Sequence, residues 1–131
     1  MDHLSPAQLE ILRAKLEAEL AQLDRHLAEE ARALADTPEA EPGDIEDAAA
    51  SEAGRFAANS LLERVHQRRA AVEAALARMA DGSYGICEDT DDEIPFRRLE
   101  LRPTTRYSVE AQAEREAEGV HDPHADEPIV Y

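Results

Sequence analysis

The sequence predicts a mainly α protein: a long antiparallel coiled-coil hairpin, then a small globular module and a C-terminal helix. Two apolar stripes at helical spacing, separated by a short acidic segment, predict the hairpin. Beyond residue 82 the apolar residues are interspersed with glycine and proline, which is typical of a compact module. Only 4% of the 131 residues are aromatic and 34% are charged, which favours long exposed helices over a sandwich or barrel.

The first helix is predicted to run from about Pro6 to about Ala35. Ser5 can cap it and Gln8 completes a capping box, while proline is favourable at the first helical position. A stripe this narrow favours packing against one partner helix over burial in a broad core. The stripe consists of Leu9, Leu12, Leu16, Leu20, Leu23, Leu27 and Leu34.

The turn of the hairpin is predicted within residues 36–53, where Pro38, Pro42 and Gly43 end the first helix. The same segment carries seven acidic residues and no basic one, a large share of the formal net charge of −16. We therefore expect residues 1–80 to form a hairpin with an acidic tip near residues 36–49.

A second helix is predicted from near Asp44 to about Ala80. Asp81-Gly82 ends it, because glycine readily adopts the left-handed conformation that follows many helices. Two long helices joined by one short turn run antiparallel. The predicted buried stripe of the second helix consists of Ile45, Phe56, Leu62, Val65, Val72, Leu76 and Met79.

Residues 81–118 are predicted to form the module, which ends in a short helix from Ser108 to about Glu118. Residues 119–131 are predicted to be a loose tail. The side chains expected to pack the module are Tyr84, Ile86, Ile94, Phe96, Leu99, Tyr107 and Val109.

The charge and the cysteine count exclude several function classes. A net charge of −16 argues against direct binding to nucleic acid and against a polybasic membrane-binding surface. A single cysteine excludes an internal disulfide and a four-cysteine metal site. The sequence has no signal-peptide pattern and no apolar run long enough to span a membrane, so we expect a cytoplasmic protein. No nucleophile–base pair stands out, so we expect no enzyme.

One spacing in the module is that of a zinc finger whose ligands have been replaced. The pattern Cys87-x2-Thr90-x17-Ser108-x2-Ala111 matches two ligand pairs of a tetrahedral zinc site, with only Cys87 still a thiolate donor. Hydroxyls and a methyl group cannot replace the other three ligands. We therefore predict a degenerate, zinc-finger-like module without a metal, whose fold depends on side-chain packing.

The sequence around these positions resembles a known family. The pieces Gly85-Ile86-Cys87-Glu88, Ile94-Pro95-Phe96 and Arg102-Pro103-Thr104 are similar to those of the DksA/TraR family of bacterial RNA polymerase-binding regulators, over about residues 40–115. The resemblance implies a globular module that carries a coiled-coil hairpin, and a hairpin that enters the polymerase secondary channel. It also implies a regulator that alters initiation through its tip without contacting DNA.

The resemblance assigns roles to individual residues. The family's Asp-x-x-Asp-x-Ala tip element corresponds to Asp44, Asp47 and Ala49, which would lie near the polymerase active centre. Basic residues of the module and adjoining helix would contact the polymerase or the alarmone ppGpp, which would link the chain to the stringent response. Two positions that usually carry lysine are Ala71 and Gln112 here, so ppGpp is only a candidate ligand. The predicted basic contacts are Arg64, Arg68, Arg97, Arg98 and Arg102.

Other interpretations of the same residues stay open. Asp44 and Asp47 also suit the start of a helix, where acids cap it and interact favourably with its dipole. The arginines also suit simple neutralisation of the acidic residues 88–93. Two rival functions are a transcript-cleavage factor that delivers Mg²⁺ to the polymerase and a non-transcriptional coiled-coil adaptor. An adaptor would pair its stripe between chains, whereas the intramolecular hairpin predicts a monomer.

Overall fold

The computed structural model describes residues 1–36 and 45–119, with side chains described for residues 1–36 and 52–119. In these ranges the chain is mainly α, and the β structure is one isolated antiparallel bridge between Ile86 and Glu93. The predicted fold class is therefore confirmed. The helices are α1 (Pro6–Asp36), α2 (Ile45–Asp81), α3 (Phe96–Leu101) and α4 (Val109–Ala117).

The helix boundaries follow local sequence signals. At the start of α1, the backbone N–H of Gln8 donates to Ser5 Oγ and the backbone N–H of Ser5 donates to Gln8 Oε1, each over 3.0 Å. This is the predicted capping box. Beyond the end of α2, Gly82 has a φ of +85°. Ser108 caps α4, because its Oγ accepts a hydrogen bond from the backbone N–H of Ala111 over 3.2 Å.

Helices α1 and α2 pack against each other as an antiparallel hairpin. Apolar side chains fill the contact, and two ion pairs flank it: Arg68 with Glu19 and Arg69 with Asp24, each with a shortest N–O distance of 2.5 Å. The buried apolar side chains of the two helices are Leu12, Leu16, Leu23, Val65, Val72, Ala75 and Met79. The predicted stripes are therefore confirmed over the half of the hairpin nearest the module.

The stripe predictions are wrong farther from the module, where Phe56 is 75% exposed and Leu34 is 70% exposed. Phe56 lies nine residues before Val65, and at about 100° per residue it therefore points to the opposite side of α2. Every residue from 52 to 60 is exposed. The packed seam between the helices thus ends near Leu61, which is only partly buried.

The module has its own apolar centre. Four of the predicted packing residues are buried as expected, namely Tyr84, Ile94, Leu99 and Tyr107, and Cys87 belongs to the same buried cluster. Ile86 and Phe96 are partly buried. Val109 is 59% exposed, so its predicted packing role is wrong: as the first residue of α4 it faces a surface groove instead.

Several contacts fasten the module to the open end of the hairpin. His3 Nε2 lies 2.8 Å from the carbonyl oxygen of Ile94, and Leu4 is buried beside it. Lys15 Nζ donates to the carbonyl oxygen of Glu100 over 3.2 Å, and Arg68 Nη1 donates to Thr104 Oγ1 over 2.9 Å. We call this set of contacts the joint. It sets the direction in which the hairpin leaves the module.

The length of the hairpin follows from its helices. At about 1.5 Å per residue, the 31 residues of α1 extend about 46 Å and the 37 residues of α2 extend about 55 Å. Neither these helices nor the shorter ones, over the residues the structure describes, are apolar enough at sufficient length to cross a bilayer.

Candidate functional site

The degenerate ligand positions come together inside the module. The thiol of Cys87 is buried and lies within hydrogen-bonding reach of the Thr90 hydroxyl and of the backbone N–H groups of Asp89, Thr90 and Ser108. Burial raises the pKa of the Cys87 thiol, but these donors stabilise the thiolate and hold the pKa at about 7. The two turns that carry the ligand pairs in a zinc finger are therefore close together here.

The side chains at these positions do not fit zinc. One thiol, two hydroxyls and the methyl group of Ala111 offer a single good zinc donor, whereas structural sites use four from cysteine and histidine. Across residues 1–36 and 52–119, no group of three or more histidine, cysteine or acidic side chains could hold a metal ion. Ser108 instead caps α4, and Ala111 is buried at 2% exposure against the module core.

The arginines of α3 and its C-cap residue form a surface at one side of the module. Arg97, Arg98 and Arg102 line a cavity of about 490 Å³ next to the exposed side chain of Leu101, and we call this the arginine surface. Arg98 Nε donates to the carbonyl oxygen of Tyr107 over 3.2 Å. The acids on the same cavity are Asp92, Glu93 and Glu110. Mixed charge around exposed apolar side chains suits contact with a protein surface better than it suits a polyphosphate.

The arginines of α2 are placed differently. Arg68 is 9% exposed, and its guanidinium donates to Glu19 over 2.5 and 3.0 Å as well as to Thr104. These contacts make it part of the joint. Arg64 lies nearer the hairpin's distal half and is partly exposed. The predicted polymerase or ppGpp contacts of these two residues stay predictions.

The predicted tip lies largely outside the described residues. Asp44 is outside them, and Asp47 and Ala49 belong to α2 with only their backbone described. The helix ends that residues 37–44 connect, Asp36 and Ile45, are the ends of α1 and α2 remote from the joint. The roles of Asp44, Asp47 and Ala49 therefore stay predictions.

One set of contacts was missed by the sequence analysis. Asp89, between two degenerate ligand positions, forms an ion pair with Arg115 of α4, whose guanidinium lies over the ring of Tyr107. The sequence alone shows that Asp89 lies between Cys87 and Thr90 and that Arg115 lies about one helical turn beyond Ala111. Only the fold shows that they meet.

Comparisons with known proteins identify similar sequences in bacteria. Residues 82–117 match the family described as Prokaryotic dksA/traR C4-type zinc finger. The RNA polymerase-binding transcription factor DksA of Caulobacter vibrioides is 47% identical over 81 residues, which is 60% of this chain and 56% of that protein. General stress protein 16O of Bacillus subtilis is 56% identical over 45 residues, or 34% of this chain and 28% of that protein.

A solved structure is similar over nearly the whole length. Transcription factor DksA2 from Pseudomonas aeruginosa matches with a TM-score of 0.77 and 33% identity, covering 89% of each chain. The aligned segment spans little more than half the length of the Caulobacter relative, so the likeness to the curated relatives is partial.

Proposed function

This chain belongs to the DksA/TraR family, and on that premise we propose that it regulates transcription by binding RNA polymerase. In this proposal the arginine surface and the base of the hairpin dock on the polymerase. The tip, with Asp44, Asp47 and Ala49, enters the secondary channel and alters initiation. The protein contacts no DNA, carries out no chemistry itself and acts in the cytoplasm as a monomer.

The observation that supports this proposal most is the hairpin fastened to the module. Helices of about 46 and 55 Å extend from one joint, so a module at the polymerase surface can present the hairpin's far end deep inside a channel. The joint combines the buried side chain of Leu4 with the Arg68–Thr104 and Lys15–Glu100 hydrogen bonds. These contacts fix the direction of the packed half of the hairpin relative to the module, which lowers the entropic cost of binding.

The charge distribution supports a protein partner. A chain with a net charge of −16 is repelled by DNA and attracted to basic surfaces. The arginine surface adds guanidinium groups beside Leu101, which is 74% exposed. Arginine is enriched among the residues that contribute most of the binding energy in protein interfaces. A ppGpp contact by Arg102 stays a prediction, because three acids share its cavity.

We also propose that the module folds without zinc. Its donor set holds a single cysteine, and its centre is filled by Tyr84, Ile94 and Leu99, each 0% exposed. Elemental analysis of the purified protein tests this directly. We expect no stoichiometric zinc and no loss of helical content on chelation, and one zinc ion per chain would contradict the proposal.

The tip mechanism is tested by the double variant Asp44→Asn/Asp47→Asn. The matched control is Glu39→Gln/Glu41→Gln, which removes the same charge from the same acidic segment. We expect both variants to co-purify with core RNA polymerase, and only the aspartate variant to lose the effect on promoter-complex lifetime. An unchanged effect with intact binding would refute the tip mechanism. Aspartate-dependent cleavage of backtracked transcripts would support the cleavage-factor alternative instead.

A further inference from the structure

In a four-cysteine module, a zinc ion joins two separate turns of the chain. In this chain side chains join the corresponding turns, and the connection is an ion pair. Arg115 Nε donates to Asp89 Oδ2 and Arg115 Nη2 donates to Asp89 Oδ1, each over 2.6 Å. Asp89 lies between Cys87 and Thr90, and Arg115 lies one helical turn beyond Ala111. The bidentate pair therefore links the same two segments of the chain that carry the degenerate ligand positions.

An aromatic ring supports the same pair. The Arg115 guanidinium lies 4.1 Å from the centroid of the Tyr107 ring, and the Arg106 guanidinium lies 5.0 Å from it. Arg106 also pairs with Glu88 over 3.4 Å, and the backbone N–H of Glu88 donates to the carbonyl oxygen of Arg106 over 3.0 Å. Two ion pairs and one backbone hydrogen bond thus link residues 88–89 to residues 106–115, and the Tyr107 ring contacts both arginines that form the ion pairs.

The geometry explains why this pair matters more than an ordinary surface pair. Single exposed ion pairs contribute little, but bidentate arginine–carboxylate pairs within a network are the exception. The Arg115 and Asp89 side chains are only 30% and 32% exposed. The hydrogen bonds from Arg115 hold the pKa of the Asp89 carboxyl below its usual range, so the pair stays charged at neutral pH.

We infer that the Asp89–Arg115 ion pair, supported by Tyr107, takes the structural role that zinc has in a four-cysteine module. It closes the turn at residues 87–90 onto α4 and thereby holds the neighbouring arginine surface in shape. Closure of the module then depends on ionic strength instead of on metal supply. This inference goes beyond the proposed function, because it concerns the free protein and needs no polymerase.

The single cysteine provides a native probe of closure. Cys87 is 1% exposed and lies within the 87–90 turn, so a thiol reagent such as dithiobis(nitrobenzoic acid) reacts only when the module opens. We expect Asp89→Asn and Arg115→Gln to raise the labelling rate by about three- to tenfold. Arg115→Lys, which keeps the positive charge but cannot donate two parallel hydrogen bonds to Asp89, should give an intermediate labelling rate. Asp24→Asn, which breaks a hairpin pair away from the module, should leave the rate within about twofold.

A double-mutant cycle distinguishes an effect of the ion pair from independent effects of its two residues. If Asp89 and Arg115 act through each other, Asp89→Asn/Arg115→Gln labels no faster than the faster single variant. Hydrogen exchange of the backbone amides of residues 84–111 should rise in the same variants, which controls for any change in the thiol pKa. Raising the salt concentration should accelerate labelling of the unmodified protein more than that of the variants.

Each remaining outcome counts for or against the inference. Loss of the module fold in Asp89→Asn with the helical hairpin retained would support it. Unchanged labelling and exchange in Asp89→Asn would overturn it, as would effects of the single variants that multiply in the double variant. Faster labelling of the unmodified protein after chelation would also overturn it, because a metal would then be holding the module closed. Failure of polymerase binding would leave this result unaffected.

Discussion

Replacing Gly85 by alanine should show how much the contact of the module with His3 and Leu4 contributes to the free energy of unfolding. Gly85 has a φ of +80°, and an added Cβ would lie 3.1 Å from His3 Cε1 and 3.2 Å from Leu4 Cδ1. The left-handed backbone alone costs an alanine about 1–2 kcal/mol. Overpacking against the N-terminal segment adds about 1–3 kcal/mol. We therefore expect Gly85→Ala to lower the free energy of unfolding by about 2–5 kcal/mol.

Gly82 provides the matched control for this measurement. It has a φ of +85°, yet an added Cβ meets nothing within 4 Å, so Gly82→Ala carries the backbone cost alone. Urea unfolding of both variants, compared at equal m-values, isolates the contact with His3 and Leu4. In a protein that also carries His3→Ala, the difference in destabilisation between Gly85→Ala and Gly82→Ala should be smaller. Equal destabilisation by the two glycine variants would refute the idea that the N-terminal segment packs tightly on the module.

Three further predictions concern the module. Leu101→Asp should weaken co-purification with RNA polymerase by at least about tenfold, as expected for an interface anchor, whereas Ile11→Asp on α1 should not. Because the folded-state pKa of Asp89 is depressed, its pairing with Arg115 stabilises the module above about pH 4, and this stabilisation is lost as the pH falls further. The free energy of unfolding of Asp89→Asn should therefore decrease less than that of the unmodified protein as the pH falls below about 4. Because the pKa of Cys87 is about 7 and an unfolded cysteine titrates near 8.5, the free energy of unfolding should rise between about pH 7 and 8.5 and stay flat in Cys87→Ala.

Local signals made most of the helical architecture predictable. The capping box at Ser5 and the left-handed Gly82 act within a few residues, so the start of α1 and the end of α2 could be predicted to within one residue. The helix predicted from Ser108 to about Glu118 agrees equally well with α4, which Ser108 caps in the structure. These signals need no tertiary information, because each satisfies backbone groups of its own helix end.

Features that depend on which surfaces meet could not be predicted. Phe56 was predicted as a stripe residue, but it lies half a turn away from Val65 and beyond the end of the packed seam, where every residue from 52 to 60 is exposed. The burial of Arg68 and its pairing with Glu19 required knowing how α1 and α2 pack. The Asp89–Arg115 pair joins residues 26 apart in sequence, and no periodic pattern connects them.

We propose that this chain presents the far end of its hairpin inside RNA polymerase while its module stays outside. Photo-crosslinking from a probe at residue 44, in the complex with core RNA polymerase, tests it most directly, with a probe at Leu101 as the reference for the module. We predict crosslinks from residue 44 to polymerase segments around the active centre and crosslinks from residue 101 to the outer surface. Crosslinks from residue 101 without any from residue 44 to the active centre would contradict the account.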